Sequence, residues 1–311
     1  MKLNSFATGI LSFMIVLLLM PIGHALMILN EHIMGHYKLL GAFIIGFVGL
    51  IILAIGIVKN NKAALATILG LLGGILIWTG WIEFSFVWIA EKLKVSPLMK
   101  DGEITTKPEY LVMLSSLGLL MTFIVLFMFS RTKCTFFNWF QRIFKLKNNL
   151  RINDNSYKPY AVITFIESIM IIWTFYLVLL IVYDDDIAGD FHPATYIIAF
   201  GSLIWSLYLL AKLLKINKFD YSIRYAVPTV IIFWNFIEIL GRWEFFDEVW
   251  VQPVKYQLEN GLIVLALIGF IIFYIYGNNT KIKDDSQKFK KLKNERTLFL
   301  QHKKKQSLPV D

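Results

Sequence analysis

Cysteine is almost missing: Cys134 is the only one in 311 residues. One thiol cannot make an intrachain disulfide, a redox pair or a thiolate metal cluster, so nothing here depends on an oxidising compartment. Charge is scarce too. Asp, Glu, Lys and Arg make up 17% of the chain, where a soluble domain carries about 25%. There is no glycine-rich phosphate loop for a nucleotide and no GxSxG nucleophile turn. Five histidines are too few for the histidine boxes of membrane di-iron desaturases. Most of them fall towards one side of the membrane, so paired axial ligands for two transmembrane haems are lacking. No lysine lies mid-span to carry a Schiff base. What the chain has in excess is apolar surface. It is 57% hydrophobic and 15% aromatic, with a mean hydropathy of +0.62. That excludes an ordinary soluble enzyme and a disordered chain.

The apolar residues come in blocks long enough to cross a bilayer core of about 30 Å as helices. They cover 6–29, 39–58, 63–88, 110–130, 160–183, 195–214, 225–246 and 261–276. Backbone polar groups in lipid must be satisfied internally, and uninterrupted apolar runs select helix over barrel. The expected fold is therefore all-α, a polytopic membrane protein of about eight transmembrane helices in two four-helix halves. The halves are 1–130 and 159–277. Between them lies a linker at 131–158, and a basic tail occupies 278–311. Gly41, Gly46, Gly49 and Gly56 in the second span, and Gly70, Gly73, Gly74 and Gly80 in the third, predict close helix packing.

Connecting loops set the orientation. With the N-terminus inside, 24 basic residues fall on the inner side and 7 on the outer, which places both termini in the cytoplasm. The expected location is a cell membrane (an inner membrane, where there are two). Lys2, an apolar run and Gly23-His24-Ala25 have the outline of a cleavable signal peptide, and cleavage would leave seven spans. The run continues to residue 29, long for a signal, so the expectation is that the span stays. Net charge is +9, and the tail holds ten basic residues against four acids. Beside a membrane span such a tail suits anionic lipid rather than nucleic acid. Phe136, Phe137, Phe140, Ile143 and Phe144 recur at helical spacing beside Arg142, Lys145 and Lys147. They predict an amphipathic helix in the inner interface.

A faint repeat is present. Trp81-Ile82-Glu83 precedes Trp88 as Phe236-Ile237-Glu238 precedes Trp243, and a proline follows each at Pro97 and Pro253. With four spans per half, the halves share one orientation, the arrangement of parallel-repeat transporters.

Ionisable residues within spans are rare and mark ion or proton paths. Glu83 and Glu238 lead the candidates for substrate or proton binding, with Trp81, Asn235 and Arg242 beside them. Glu238 precedes Arg242 by four residues, the favourable order for a helical ion pair. Glu167 is a lone acid in the fifth span, better suited to an interhelical hydrogen bond. His24, His32, His36 and His192 fall on the outer side with Glu31, Asp184, Asp185, Asp186 and Asp190. His32 and His36 are four apart, so on a helix they could grip one divalent metal ion. Three functions follow. The first is a transporter or permease of a small solute or cation, using Glu83, Glu238 and Arg242. The second is a membrane-embedded metalloprotein or oxidoreductase built on the histidines. The third is a non-catalytic subunit that anchors a partner.

Overall fold

The computed structural model describes residues 4–100, 103–129, 137, 141–144 and 158–274. Cys134, the basic tail and most of the expected amphipathic stretch lie outside them. Apart from its connecting turns, the described chain is helical except for a short antiparallel hairpin, Leu98–Lys100 with Glu103–Thr106. Among the described residues six helical stretches are long and apolar enough to cross a membrane, or seven if a bent pair counts as one.

The first stretch runs from Ser5 to Val58, 54 residues. At about 1.5 Å per residue a straight helix of that length would be far longer than a bilayer core is thick. It does not run straight. Helix α1 (Ser5–Met34) starts at Asn4, whose side chain accepts from Ala7 N at 2.8 Å. It stops at Gly35, in a positive-φ conformation (φ 47°) that glycine adopts readily. A single turn, Gly35–Tyr37, leads into α2 (Lys38–Val58). Asn30 donates to Lys38 O at 2.8 Å across this turn. Helix α3 (Ala63–Ile77) then packs on α2 with Gly73 against Leu53 and Gly80 against Ala42, so the two are antiparallel. Gly23 of α1 lies by Ile75 and Thr79. Leu11 and Ile15 share a cluster with Ala64 and Ile68. Helix α1 is therefore parallel to α3 and antiparallel to α2.

One π-helical turn, Trp78–Glu83, joins α3 to α4 (Phe84–Leu93). The expected fourth span is broken into α5 (Pro108–Leu114) and α6 (Leu117–Phe129), bent by 45°. The break has a local cause. Ser115 and Ser116 turn their hydroxyls back onto Val112 O and Met113 O, both at 2.6 Å, and paired serines kink helices. Trp173 donates to Ser116 Oγ at 2.9 Å, which fixes the bend against the next helix.

The second half holds α7 (Tyr160–Tyr183), α8 (Pro193–Leu213), α9 (Phe219–Arg242) and α10 (Gln257–Tyr274). Burial separates an inner set from an outer one. Within their most apolar windows, 72% of Ala63–Leu93, 61% of α9 and 56% of α7 are buried, against 22% of α8 and 11% of α10. The central cluster joins Leu11, Ile15 and Leu19 of α1, Ile68 and Leu71 of α3, Ile171 of α7 and Val227 and Val230 of α9. The outer helices leave large apolar side chains exposed, such as Phe43 and Phe47 of α2 and Ile197 and Ile204 of α8. Lipid is the solvent that suits such a surface.

The pairing is regular. Helix α1 packs on α9 and α7 on α3; α2 packs on α3 and α8 on α9. Helix α6 packs on α7, and α10 lies against α1. Asn60 ties the α2–α3 turn to the start of α7, donating to Lys158 O at 2.9 Å and accepting from Tyr160 N at 2.8 Å.

Candidate functional site

The four inner helices bring Glu83, Tyr176, His24 and Glu238 together. Glu83 ends the π-helical turn and is 3% exposed. A π turn widens the helix by one residue, and such turns are frequent at functional sites. Gly80 lets this turn lie directly on α2. A Cβ there would stand 2.6 Å from Ala42 O. Trp81 faces α2 as well and donates to Phe43 O at 3.1 Å, away from Glu83.

Tyr176 of α7 donates to Glu83 Oε1 at 3.4 Å. Its ring touches Trp78 (centroids 6.1 Å apart) and Tyr110 (5.7 Å). On its other side it stacks on His24, at 6.3 Å and 30°. His24 lies in α1, three residues after the internal Pro21. Its Nε2 is 3.3 Å from Glu238 Oε1, and Trp234 Nε1 donates to that same oxygen at 2.6 Å. Two polar pairs, Glu83 with Tyr176 and His24 with Glu238, are thus brought side by side in the interior by the stacked Tyr176 and His24 rings.

The spacing predicts Arg242 as the partner of Glu238; the structure gives each of them other partners. His24 and Trp234 occupy Glu238, while Arg242 turns to Asp190 of the α7–α8 connection. Its guanidinium also lies over the Tyr183 ring at 4.3 Å. Trp243 donates to Asp190 O at 2.8 Å, which holds that connection down. Asn235, three residues before Glu238, is 2% exposed, and its Nδ2 has no hydrogen-bond partner among the described residues. Glu167 is buried in α7, nine residues before Tyr176. That is about 13 Å along the helix axis, so it stands apart from both pairs.

The four histidines do not assemble. The helix on which His32 and His36 would share a face ends at Met34, leaving His32 in its last turn and His36 in the turn that follows, both exposed. His36 packs edge-on against Tyr37. His192 caps α8, its Nδ1 accepting from Ala194 N at 3.2 Å. Among the described residues no group of three or more His, Cys, Asp or Glu side chains is placed to hold a metal ion. The expectation of a divalent metal ion on His24, His32, His36 and His192 thus finds no support among the described residues.

Tyr176, Tyr110 and Glu248 were not singled out by sequence. The tyrosines sit in or beside apolar runs with no motif around them. Glu248 lies beyond α9, over Gly241, where a Cβ would meet its Oε1 at 2.5 Å. Burial pushes the Glu248 carboxyl up to about 7 from 4.5, and the negative charge of Glu238 adds to this, while His24 and Arg242 oppose it. A raised acid keeps its proton in the folded protein over a pH range where the unfolded chain has lost it. Stability from this group therefore falls as pH climbs from about 4.5 through 7. Melting curves in mild detergent should show that decline across about pH 5 to 7, and Glu248→Gln should flatten it. An unchanged slope in the variant would assign the decline to another group.

Comparison with known proteins finds no relative: no family model matches the chain, and no curated protein or solved structure is similar to it. The functional reading rests on the site alone.

Proposed function

We propose that this protein is a proton-linked carrier of a small solute or cation. In this reading it crosses a cell membrane eight times, with both termini in the cytoplasm. The observation that carries the proposal is the Glu83–Tyr176–His24–Glu238 cluster. Acids inside a membrane bundle mark relays and ion paths. Here a hydroxyl meets one and an imidazole the other, both groups that pass protons, and their rings stack with centroids 6.3 Å apart. The proposed working groups are Glu83, Glu238, Tyr176 and His24, with Asn235 adjoining. Arg242 is left as a partner of Asp190.

Two further observations support a parallel repeat. Exchanging the halves maps the helix pairing onto itself: α1 on α9 becomes α7 on α3, and α2 on α3 becomes α8 on α9. The two polar pairs also bridge the halves. Glu83 of the first half bonds Tyr176 of the second, and Glu238 of the second bonds His24 of the first. A site at the junction of two halves is where parallel-repeat carriers place theirs.

Proteoliposomes with an entrapped pH dye and an imposed proton gradient test the reading. With a panel of small solutes and cations added in turn, the wild type should dissipate the gradient in the presence of the one it carries. Glu83→Gln, a mimic of the protonated acid, should abolish that flux while keeping the fold. Tyr176→Phe should slow it by roughly 10²-fold or more, the usual cost of losing a positioned proton donor. Flux and stability equal to wild type in Glu83→Gln would make Glu83 a packing residue.

Orientation has its own test. A cysteine placed at 184–190 should react with an impermeant reagent added to intact cells, and Cys134 should not. Labelling of Cys134 from outside would reverse the topology.

A further inference from the structure

Between α1 and α10 lies a groove of about 730 Å³, within the roughly 300–1,000 Å³ of ligand sites. Phe6, Ile10 and Met14 line one wall; Ala266, Gly269 and Phe273 line the other. Every lining side chain is apolar, so the groove offers water nothing to bond. Phe6, Ile10 and Phe273 are exposed along it, at 58%, 37% and 41%, which opens it sideways to lipid. A Cβ added at Gly269 would meet nothing within 4 Å. The two helices are held together beyond the groove, by Leu267 and Tyr274 in the central cluster, so the gap is a feature of the packing rather than a loose helix.

Both helices that wall the groove also touch the connection that follows α8. The Gly9 backbone of α1 abuts Leu213 and Leu214, where a Cβ would stand 2.9 Å from Leu214 Cα. The Tyr274 hydroxyl of α10 donates to Phe219 O. Both walls therefore meet the 214–219 connection, which carries Lys215 and Lys218, both exposed. The nearby Asp220 is already paired with Arg224 at 3.3 Å. An apolar slot and a connection bearing two exposed lysines thus share the same two helices, at the level where helices end.

We propose that this groove is a binding site for an anionic glycerophospholipid, with an acyl chain between α1 and α10 and the phosphate at Lys215 and Lys218. The apolar wall fits a hydrocarbon chain, because an apolar cavity facing lipid fills with hydrocarbon and excludes water. The lysines select the headgroup, since basic residues at the membrane surface attract anionic lipid. A polar peptide segment would leave its backbone groups unsatisfied in the same slot. The assignment is independent of the carrier reading, because none of its residues belongs to the Glu83–Glu238 cluster.

The test uses the full chain purified into micelles containing equal phosphatidylglycerol and phosphatidylcholine, washed extensively with detergent and analysed by native mass spectrometry. The wild type should retain a single phosphatidylglycerol. Gly269→Leu, which fills the open space, should retain none. The double variant Lys215→Ser/Lys218→Ser changes only exposed side chains. It should keep its melting temperature and lose its preference for phosphatidylglycerol by on the order of tenfold. Retention of lipid by Gly269→Leu at the wild-type level would overturn the groove. Equal retention of both lipids by the wild type, or of neither, would overturn the site. Proton flux is unaffected by these results, so a failure here leaves the carrier proposal standing.

Discussion

Gly80→Ala is expected to be among the most damaging single substitutions in the protein. The added methyl would lie 2.6 Å from Ala42 O and against the Gly46 backbone. Backbone on a neighbouring helix cannot rotate aside as a side chain can. The contact is resolved only by moving α2 off the π turn, which strips the shared surface of both elements. Overpacking of this kind costs about 1–3 kcal/mol where side chains yield, and the upper end or beyond is expected here. Gly201→Ala provides the control, because a Cβ there meets nothing within 4 Å. It should be neutral or slightly stabilising, since alanine favours helix over glycine. Thermal unfolding in one detergent, with both variants side by side, reads the difference. Equal stability of the two would mean that α2 does not press on Gly80.

The second large effect concerns His24 and Glu238. Their side chains are 22% and 21% exposed, buried enough that a lone survivor is poorly solvated. Removing one partner of a buried pair costs about 3–5 kcal/mol. The lower end is expected here, because a fifth of each side chain still meets its surroundings. Glu238→Gln should therefore destabilise clearly, and so should His24→Ala, which also opens a hole beside Tyr176. The double variant His24→Phe/Glu238→Leu should recover most of the loss, since apolar groups of similar volume often replace a buried pair at little cost. The coupling from this double-mutant cycle should be on the order of 1–3 kcal/mol. Strict additivity of the single variants would show that the 3.3 Å approach carries no interaction energy. The same cycle with Arg242 in place of His24 should give no coupling to Glu238, because Arg242 is held by Asp190.

Sequence revealed the helical membrane class and the two acids, but not their partners. Hydropathy is a property of single segments, and it found each long helix. It placed the last one four residues late, because Gln257, Glu259 and Asn260 are polar yet already helical. It could not foresee the bend at Ser115 and Ser116, where two hydroxyls compete for backbone carbonyls. Glu83 and Glu238 stood out because charge in a span is costly. Tyr176 did not, because a tyrosine in an apolar run looks like packing until its hydroxyl is seen beside an acid. The four-residue spacing to Arg242 was a sound helical argument that a tertiary contact overrode. The i, i+4 spacing of His32 and His36 failed for the opposite reason, since the helix ended between them at Gly35. Local spacing settles which residues share a face only where the helix continues, and says nothing of what packs on that face.

The π turn at Trp78–Glu83 has a consequence for how this protein can change. The bearing of Glu83 towards Tyr176 is set by winding, with one residue more in that turn than an α-helix would hold. Side-chain replacements along the span alter size and polarity but leave the pitch as it is. Gaining or losing a residue between 78 and 83 changes the pitch itself. It would swing the carboxylate about the helix axis while Phe84 and Val87 keep their places against Met27 and Ala42. Insertions and deletions, rather than substitutions, are the steps by which this acid can be pointed elsewhere.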